Sequence, residues 1–421
     1  MLFAIVLPAQ DDPHELLKKI GRSVAGTISK SDNYICAQDL SRFYYSISKA
    51  AAACQQPPVV PVTTPRVQDR LKLDVAVSQG VEIYSWHGEH KFSGTNIGEL
   101  VREGPISSGS FSGYLRNIFG ESNVKFVFRG ESNVDTVSVY DFDYAVPLTA
   151  SHYRLQAGAG YVLAPFHGSF SARVDNFQLY SLTVTADGGQ IPPRSDICSA
   201  QSRVTYQIVK MASHESLLPA TFDLLLGTRS GVFTRSKGGY SECHEYTGES
   251  TVHFDMDEAA TNTAPTELET MPIKPGIFLP IALRGQIDED TAYAGLPVEA
   301  VLSQNVKLKK GVMLARGSML KGTVTHFQIF HEPAHQVALG IEFSSITDGR
   351  KLYLCSAVHD VPLQFIAPPA QGRFGSTRRW NSTDDTRMPE GEMMFNTSHL
   401  HLDNTFTSLF VTVSHSQIEA Q

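Results

Sequence analysis

Residues 140–146 read Tyr-Asp-Phe-Asp-Tyr-Ala-Val, so a large apolar side chain stands at every second position from Tyr140 to Val146. Successive side chains of a β-strand point to opposite faces of the sheet, so this alternation predicts a strand with one buried and one polar face. The same period recurs along the chain, and the Gly, Asn and Asp residues between the runs are typical of tight turns. The other runs with this period are 71–77, 81–86, 124–128, 180–184, 204–208 and 252–254.

Short connections favour an antiparallel sheet, because parallel strands need long crossover segments. About ten strands are predicted between Asn33 and Phe254 by this pattern. A short helix is predicted over residues 14–20, with Asp12 as its cap and Gly21 ending it. A second helical block at 97–119 is divided by Gly104-Pro105. The predicted fold is mainly β: a large curved antiparallel sheet, or half-barrel, with a small helical insertion covering one face.

A second small β-barrel or sandwich is predicted from Gly276 onward, where short apolar runs such as 278–283 and 337–343 are separated by glycines. Residues 257–275 are acidic and rich in Thr and Pro, which is typical of an extended linker. The predicted organisation is therefore a first domain at 11–256, a linker at 257–275 and a second domain at 276–421, with a flexible excursion at 368–389.

The composition excludes several classes of protein. The chain has 421 residues, of which 42% are hydrophobic and 19% charged, so it is not disordered throughout. Its formal net charge of -8 argues against a nucleic-acid binder, because such proteins neutralise phosphates with excess Lys and Arg. No apolar run reaches the roughly 18–20 residues that span a bilayer, so no transmembrane helix is predicted.

The first ten residues, Met-Leu-Phe-Ala-Ile-Val-Leu-Pro-Ala-Gln, resemble the end of a secretory signal peptide, with an apolar run before a small-residue cleavage site. The alternative is a buried N-terminal strand. The first interpretation predicts an extracytoplasmic protein, in the periplasm or secreted.

Five cysteines are present and none lies in a Cys-x-x-Cys pair, so neither a zinc ribbon nor a thioredoxin-like motif is predicted. In an exported protein, Cys36–Cys54 and Cys198–Cys243 are candidate bridges, although spacing alone does not establish a pairing. The alternative is that the cysteines are small buried apolar residues. The odd count leaves at least one thiol free in a monomer, and the fifth cysteine is Cys355.

His331-Glu332-Pro333-Ala334-His335 matches the His-Glu-x-x-His pattern of zinc peptidases. That chemistry needs both histidines on one face of a helix, and Pro333 breaks a helix interior at a cost of about 3 kcal/mol. Strand-like runs flank the motif, so a hairpin loop is predicted instead. The pairs His87/His90 and His399/His401 each lack an identifiable third ligand. No metal, cofactor or catalytic residue is predicted.

Aromatic residues are dense on the first predicted sheet. One apolar face of a curved sheet encloses a ligand-sized cavity when helices cover it, whereas the alternative is a packed core. The candidate ligand-binding residues are Tyr84, Trp86, Phe92, Phe126, Phe128, Phe142 and Tyr144.

The segment Glu82-Ile83-Tyr84-Ser85-Trp86-His87-Gly88 with Phe92, and the segment from Cys243 to Ser250, resemble uncharacterised exported bacterial proteins. Their Tyr-x-Trp-x-Gly-x-x-x-Phe-like arrangement makes residues 30–256 similar to the periplasmic half-barrels of the LolA/LolB/RseB type. This resemblance implies a curved antiparallel sheet around a helical plug, which commonly holds lipid or lipoprotein acyl chains.

Residues 276–366 resemble the TrbI-type β-module of conjugation-system channel proteins. The resemblance rests on Gly295-Leu296-Pro297-Val298-Glu299-Ala300 and on the run from Val312 to Gly322. It implies a small β-barrel. Because the sequence shows neither the transmembrane helix nor the proline-rich arm that precede this module in the family, a borrowed module is predicted rather than part of a channel.

These observations predict a non-enzymatic cell-envelope binding protein that holds an apolar or lipid-like ligand in its first domain, with an envelope protein as a further partner. The alternative is a structural or assembly component of an envelope complex without a small ligand. A third, distant hypothesis is a zinc-dependent hydrolase that uses His331, Glu332 and His335.

Overall fold

The structure is a computed structural model that divides the chain into two compact units. Unit 1 comprises Met1–Thr63, Asp74–Ser85 and His90–Thr247, and unit 2 comprises Thr64–Leu73, Trp86–Glu89 and Gly248–Gln421. The residues that the structure describes are 12–30, 33–46, 53–54, 58–78, 81–88, 92, 97–101, 106, 109–157, 160–186, 189–212, 214–246, 269–308, 311–349, 351–360 and 391–413.

Ten strands of unit 1 form one large sheet. Neighbouring strands along the order β1-β12-β11-β10-β9-β8-β5-β4 are antiparallel to each other. Their order is β3-β2-β1-β12-β11-β10-β9-β8-β5-β4, while β6 and β7 form a separate hairpin. The strands are β1 (Tyr34–Ser46), β2 (Val67–Ser78), β3 (Val81–Trp86), β4 (Lys125–Val134), β5 (Val137–Val146), β6 (Arg154–Ala157), β7 (Gly160–Leu163), β8 (Phe166–Arg173), β9 (Leu179–Ala186), β10 (Ile197–Lys210), β11 (Glu215–Thr228) and β12 (Val232–Glu245).

The predicted alternation of buried and exposed side chains over residues 140–146 is confirmed in β5. Tyr140, Phe142, Tyr144 and Val146 are buried, whereas the residues between them are more exposed. The predicted mainly β fold is likewise confirmed, since 60% of the residues that the structure describes lie in strands and 10% in helices.

The α-helices of unit 1 that the structure describes from end to end are α1 (Pro13–Lys30), α2 (Ile97–Leu100) and α3 (Gly113–Phe119). The predicted cap is confirmed, because Asp12 accepts the backbone N–H of His14 at 3.1 Å. The predicted end of α1 at Gly21 is wrong, since the helix continues to Lys30. Leu16, Ile20 and Val24 are all buried, so the apolar stripe runs past the glycine. Its packing outweighs the penalty of about 1 kcal/mol for a helical Gly.

Unit 2 contains a closed six-stranded antiparallel barrel. Its strands pair in the order β14-β16-β19-β20-β21-β24, and β24 pairs with β14, which closes the barrel. Leu279, Val324, Leu339, Phe343 and Phe410 are fully buried inside it. The strands are β13 (Glu269–Pro272), β14 (Phe278–Arg284), β15 (Ile287–Asp288), β16 (Pro297–Leu302), β17 (Val306–Lys307), β18 (Met313–Leu314), β19 (Met319–Phe330), β20 (Gln336–Asp348), β21 (Lys351–His359), β22 (Glu392–Asn396), β23 (His401–Leu402) and β24 (Thr407–Thr412).

The described residues add detail to the predicted domain limits. The end of the predicted linker forms β13, which pairs in parallel with β21. Unit 2 also includes the first residues of β2, where Val67 and Asp69 pair with Phe330 and Gln328 of β19. The predicted signal remnant at 1–10, the linker residues 257–268 and the excursion at 368–389 lie outside the described residues.

Neither of the two candidate cysteine pairings is formed, although four of the five cysteines are bonded. Cys36 is bonded to Cys243 and Cys54 to Cys198, while Cys355 is free. The reason is strand order: Cys36 lies in β1 at the point where its register with β12 shifts, and this places it next to Cys243.

Among the helices of the described ranges, none has the length and apolarity needed to cross a bilayer.

Candidate functional site

The register of β4, β5 and β8 gathers four of the seven predicted ligand-binding residues on one face of the unit 1 sheet. Phe128 lies opposite Phe142, and Phe142 lies opposite Phe170. Their ring centroids are 5.0 Å and 5.2 Å apart, respectively. Phe126 and Tyr144 lie 6.2 Å and 6.5 Å from Phe170. We call this surface the inner face.

A segment of the same unit covers the inner face. Residues 109–119, which we call the plug, contain α3 and the turn before it. The ring of Phe119 lies 5.9 Å from Phe126 and 5.2 Å from Phe170. Leu115 and Ile118 are fully buried beside it. The predicted aromatic surface is therefore packed against the plug.

The turn that begins the plug contacts another part of the sheet. The ring of Phe111 lies 5.4 Å from Tyr34 of β1 and 4.9 Å from Tyr240 of β12. Phe111 is 3% exposed, so its ring is buried in unit 1. The plug is thus held at both ends by aromatic side chains.

A carboxylate on β3 holds the backbone of this turn. Oε2 of Glu82 accepts the N–H of Gly109 at 2.8 Å, and Oε1 accepts the N–H of Phe111 at 3.2 Å. The hydroxyl of Tyr84 donates to the same carboxylate at 2.6 Å. Burial, together with the charge of Glu82, raises the pKa of Tyr84 well above its ordinary value. Tyr84, a predicted site residue, therefore positions the plug as a neutral hydrogen-bond donor.

Sequence reasoning missed Glu82. A signal was present, because residues two apart on a strand share a face and Tyr84 was already a candidate. An acidic side chain on an aromatic face needs partners, since an unpaired buried charge is costly.

Further tyrosine hydroxyls lie within unit 1. Tyr206 donates to the carbonyl of Ser110 at 3.3 Å, and Tyr240 accepts from Nε2 of Gln38 at 3.2 Å. Tyr144 donates to the carbonyl of Thr183 at 2.8 Å. Burial raises the pKa of all three tyrosines above the ordinary value, so their hydroxyls stay neutral. These hydroxyls are therefore neutral polar groups at fixed positions within unit 1.

Two predicted residues lie elsewhere. Trp86 belongs to unit 2, where its Cε3 atom lies 3.2 Å from the position that a Cβ on Gly295 would take. Gly295 has a φ of +103°, a conformation that favours glycine. Phe92 is half-buried in unit 1, and its neighbours in sequence lie outside the described residues.

Two depressions in the described surface are lined by residues outside the plug. A depression of about 250 Å³ is lined by Arg22 and Thr27 of α1 and by Glu215 of β11, among others. A wider one of about 510 Å³ includes Lys125 and His167, which are exposed side chains of β4 and β8.

The His-Glu-x-x-His motif forms a hairpin loop between β19 and β20, as predicted. His335 faces Oε1 of Glu289 at 2.9 Å, whereas Glu332 pairs with Nε of Arg66 at 3.4 Å. A helical i, i+4 arrangement of the two histidines is therefore not formed, and with it the geometry of a zinc peptidase is missing.

Neither family models nor curated proteins match the chain. One solved structure is similar, a DUF1329 family protein from Desulfovibrio piger, with 12% identity and a TM-score of 0.27. The match covers 57% of this chain and 95% of that one.

Proposed function

We propose that this chain is a non-enzymatic cell-envelope protein that binds an apolar or lipid-like ligand on the inner face of unit 1. The ligand displaces the plug from this face when it binds. The observation that carries the proposal is the covering of an aromatic sheet face by a short internal segment. The helix of that segment, α3, has only seven residues.

The exchange is energetically reasonable. An isolated helix shorter than about 12–15 residues is marginal in water, so α3 depends on its contacts with the sheet. Those contacts come from apolar side chains such as Leu115, Ile118 and Phe119. An acyl chain buries apolar surface with the same gain of about 25 cal/mol per Å². A ligand could therefore replace the plug at little net cost in burial.

An extracytoplasmic location is part of the proposal. The bonds Cys36–Cys243 and Cys54–Cys198 are compatible with an oxidising compartment, where structural disulfides persist. The resemblance of residues 30–256 to LolA/LolB/RseB-type half-barrels supports both the compartment and the ligand class.

The test is direct. Protein purified without detergent is extracted with organic solvent and analysed by mass spectrometry, and its stripped form is titrated with a fluorescent apolar dye. We expect co-purified acyl lipid and dye binding that the inner-face variant Phe170→Ala weakens at least about tenfold, since full burial of one large apolar side chain contributes about 1.5–3 kcal/mol. The matched control is Phe278→Ala in unit 2, whose side chain is 54% exposed. Absence of both lipid and dye binding in a folded protein would overturn the proposal.

A second candidate function is an assembly component. The outer face of the unit 2 barrel pairs Phe278 with Val411 and Pro280 with Leu409, and Leu409 is 39% exposed. Clustered exposed apolar side chains mark interaction surfaces. A photo-crosslinking residue at Phe278 would then yield one discrete crosslinked envelope protein in cells. The same residue at Val81, which is exposed on unit 1, would not yield it.

A further inference from the structure

A cluster of histidines and carboxylates lies in unit 2, away from the site proposed above. The short strands β15 and β23 pair with each other, and their register places Asp288 directly opposite His401. His399 precedes His401 by two residues, and Asp290 follows Asp288 by two. Residues more than 100 positions apart in sequence are thus brought together.

One carboxylate oxygen lies between the two histidines. Oδ2 of Asp288 is 3.2 Å from Nε2 of His399 and 3.0 Å from Nδ1 of His401. One potential ligand atom each from Asp288, Asp290 and His399 lies within 4.8 Å of the other two. Four ligands at about 2.1 Å from a tetrahedral zinc ion are about 3.4 Å apart. The distances between the histidine nitrogens and the Asp288 oxygen are therefore close to the distances between two ligand atoms of a zinc ion. Small side-chain movements would bring all the ligand atoms into this arrangement.

Hydrogen bonds hold the backbone segments that carry these side chains. The N–H of Asp290 donates to Oδ1 of Asp288 at 3.0 Å, which fixes the carboxylate. The next residue, Glu289, is buried. It accepts the N–H of Leu400 at 2.9 Å and contacts His335 at 2.9 Å. These contacts join the segments that carry the ligands, and such supporting contacts orient metal ligands in proteins.

We propose that Asp288, Asp290 and His399 bind a divalent transition-metal ion, with His401 as a fourth ligand. Imidazole nitrogen together with carboxylate oxygen suits Zn²⁺ and its neighbours in the first transition row, whereas Ca²⁺ and Mg²⁺ prefer oxygen alone. The ion would link the 288–290 turn to the 399–401 segment. The sequence alone indicates only the His399/His401 pair, because Asp288 comes from a distant part of the chain.

The test uses the full chain after removal of metal with a chelator. Isothermal titration with ZnCl₂ should give one site per chain, and Co²⁺ should give the visible absorption of a tetrahedral complex. We expect His399→Gln and Asp288→Asn to weaken Zn²⁺ binding at least about 100-fold, because loss of a supporting residue alone costs about 10–100-fold. His401→Gln, which removes the proposed fourth ligand, should weaken binding at least about tenfold. Circular dichroism verifies that each variant is folded.

Two control variants make the experiment decisive. His14→Gln removes an exposed histidine of α1, and His331→Gln removes one from the His-Glu-x-x-His hairpin. Both should bind Zn²⁺ like the wild type. The proposal is overturned if the wild type binds no stoichiometric metal, if His399→Gln binds normally, or if either control weakens binding as much as His399→Gln does.

Discussion

The carboxylate of Glu82 accepts the backbone N–H of Gly109 at 2.8 Å, so a side chain of β3 holds the first residue of the plug. The same carboxylate accepts the N–H of Phe111, the residue whose ring fills the space between Tyr34 and Tyr240. Hydrogen bonds to an ionised acceptor are about twice as strong as those between neutral groups. The plug is therefore attached by backbone contacts in addition to apolar packing.

Glu82→Gln should loosen the plug. The amide is uncharged and offers one acceptor oxygen in place of two, so the charge-assisted bonds to Gly109 and Phe111 are weakened. Hydrogen bonds to charged groups contribute about 1.5–3 kcal/mol each, and we expect a loss of about 1–3 kcal/mol in the free energy of unfolding. Urea denaturation measures this loss, and hydrogen exchange of the two amides should become faster.

The control for this prediction is Glu131→Gln, which removes an exposed carboxylate of β4. It should change the free energy of unfolding by less than about 0.5 kcal/mol, as most surface substitutions do. Equal exchange rates at Gly109 and Phe111 in wild type and Glu82→Gln would show that the carboxylate does not hold the plug.

The sequence predicted those features of the fold that depend on the local pattern of residues. Alternation along β5 identified its buried face, and Pro333 correctly excluded a helix at the His-Glu-x-x-His motif. The closure of the barrel, the partner of Cys36 and the third ligand beside His399 depend on which distant strands become neighbours. No local pattern carries that information, and for the same reason Trp86 was grouped with residues of the other unit.

Removing the Cys54–Cys198 bond should destabilise the protein substantially. The bond closes a loop with a sequence separation of 144 residues, and native disulfides typically contribute 2–5 kcal/mol by restricting the unfolded chain. The double variant Cys54→Ser/Cys198→Ser should therefore lose about 2–5 kcal/mol in urea denaturation. Cys355→Ser is the matched control and should lose far less. A non-reducing peptide map that links Cys36 to Cys54 would contradict the pairing itself.

The thiol of Cys355 should react slowly in the folded protein. Burial, with a smaller contribution from the charge of Glu342, raises the pKa of Cys355 from 9.0 to about 12. The thiolate is the reactive form, so its fraction at about pH 8 falls roughly a thousandfold relative to the unfolded chain. Iodoacetamide labelling followed by mass spectrometry should show one modified cysteine per chain in denaturant and very little without it. Fast labelling of the native protein would contradict the burial of this thiol.

Acidification should destabilise the barrel through His359. Nδ1 of this histidine is buried without a partner in the described part of the chain, while Nε2 contacts Oγ of Ser408 at 2.7 Å. Burial lowers the pKa of His359 below 6.5, and the weaker effect of Asp360 opposes this. The unfolded chain therefore takes up the proton at a higher pH than the folded chain does. The corresponding stability is present above 6.5 and is lost as the pH falls toward the folded pKa.

His359→Gln tests this directly, because an amide can keep the contact with Ser408 but does not titrate. Wild-type Tm should fall between about pH 8 and about pH 5.5, because over this range the unfolded chain takes up a proton at His359 that the folded chain resists. The variant should show a smaller fall. Some pH dependence should remain, because burial also lowers the pKa of His331. An equal fall in wild type and His359→Gln would assign the acid sensitivity to other groups.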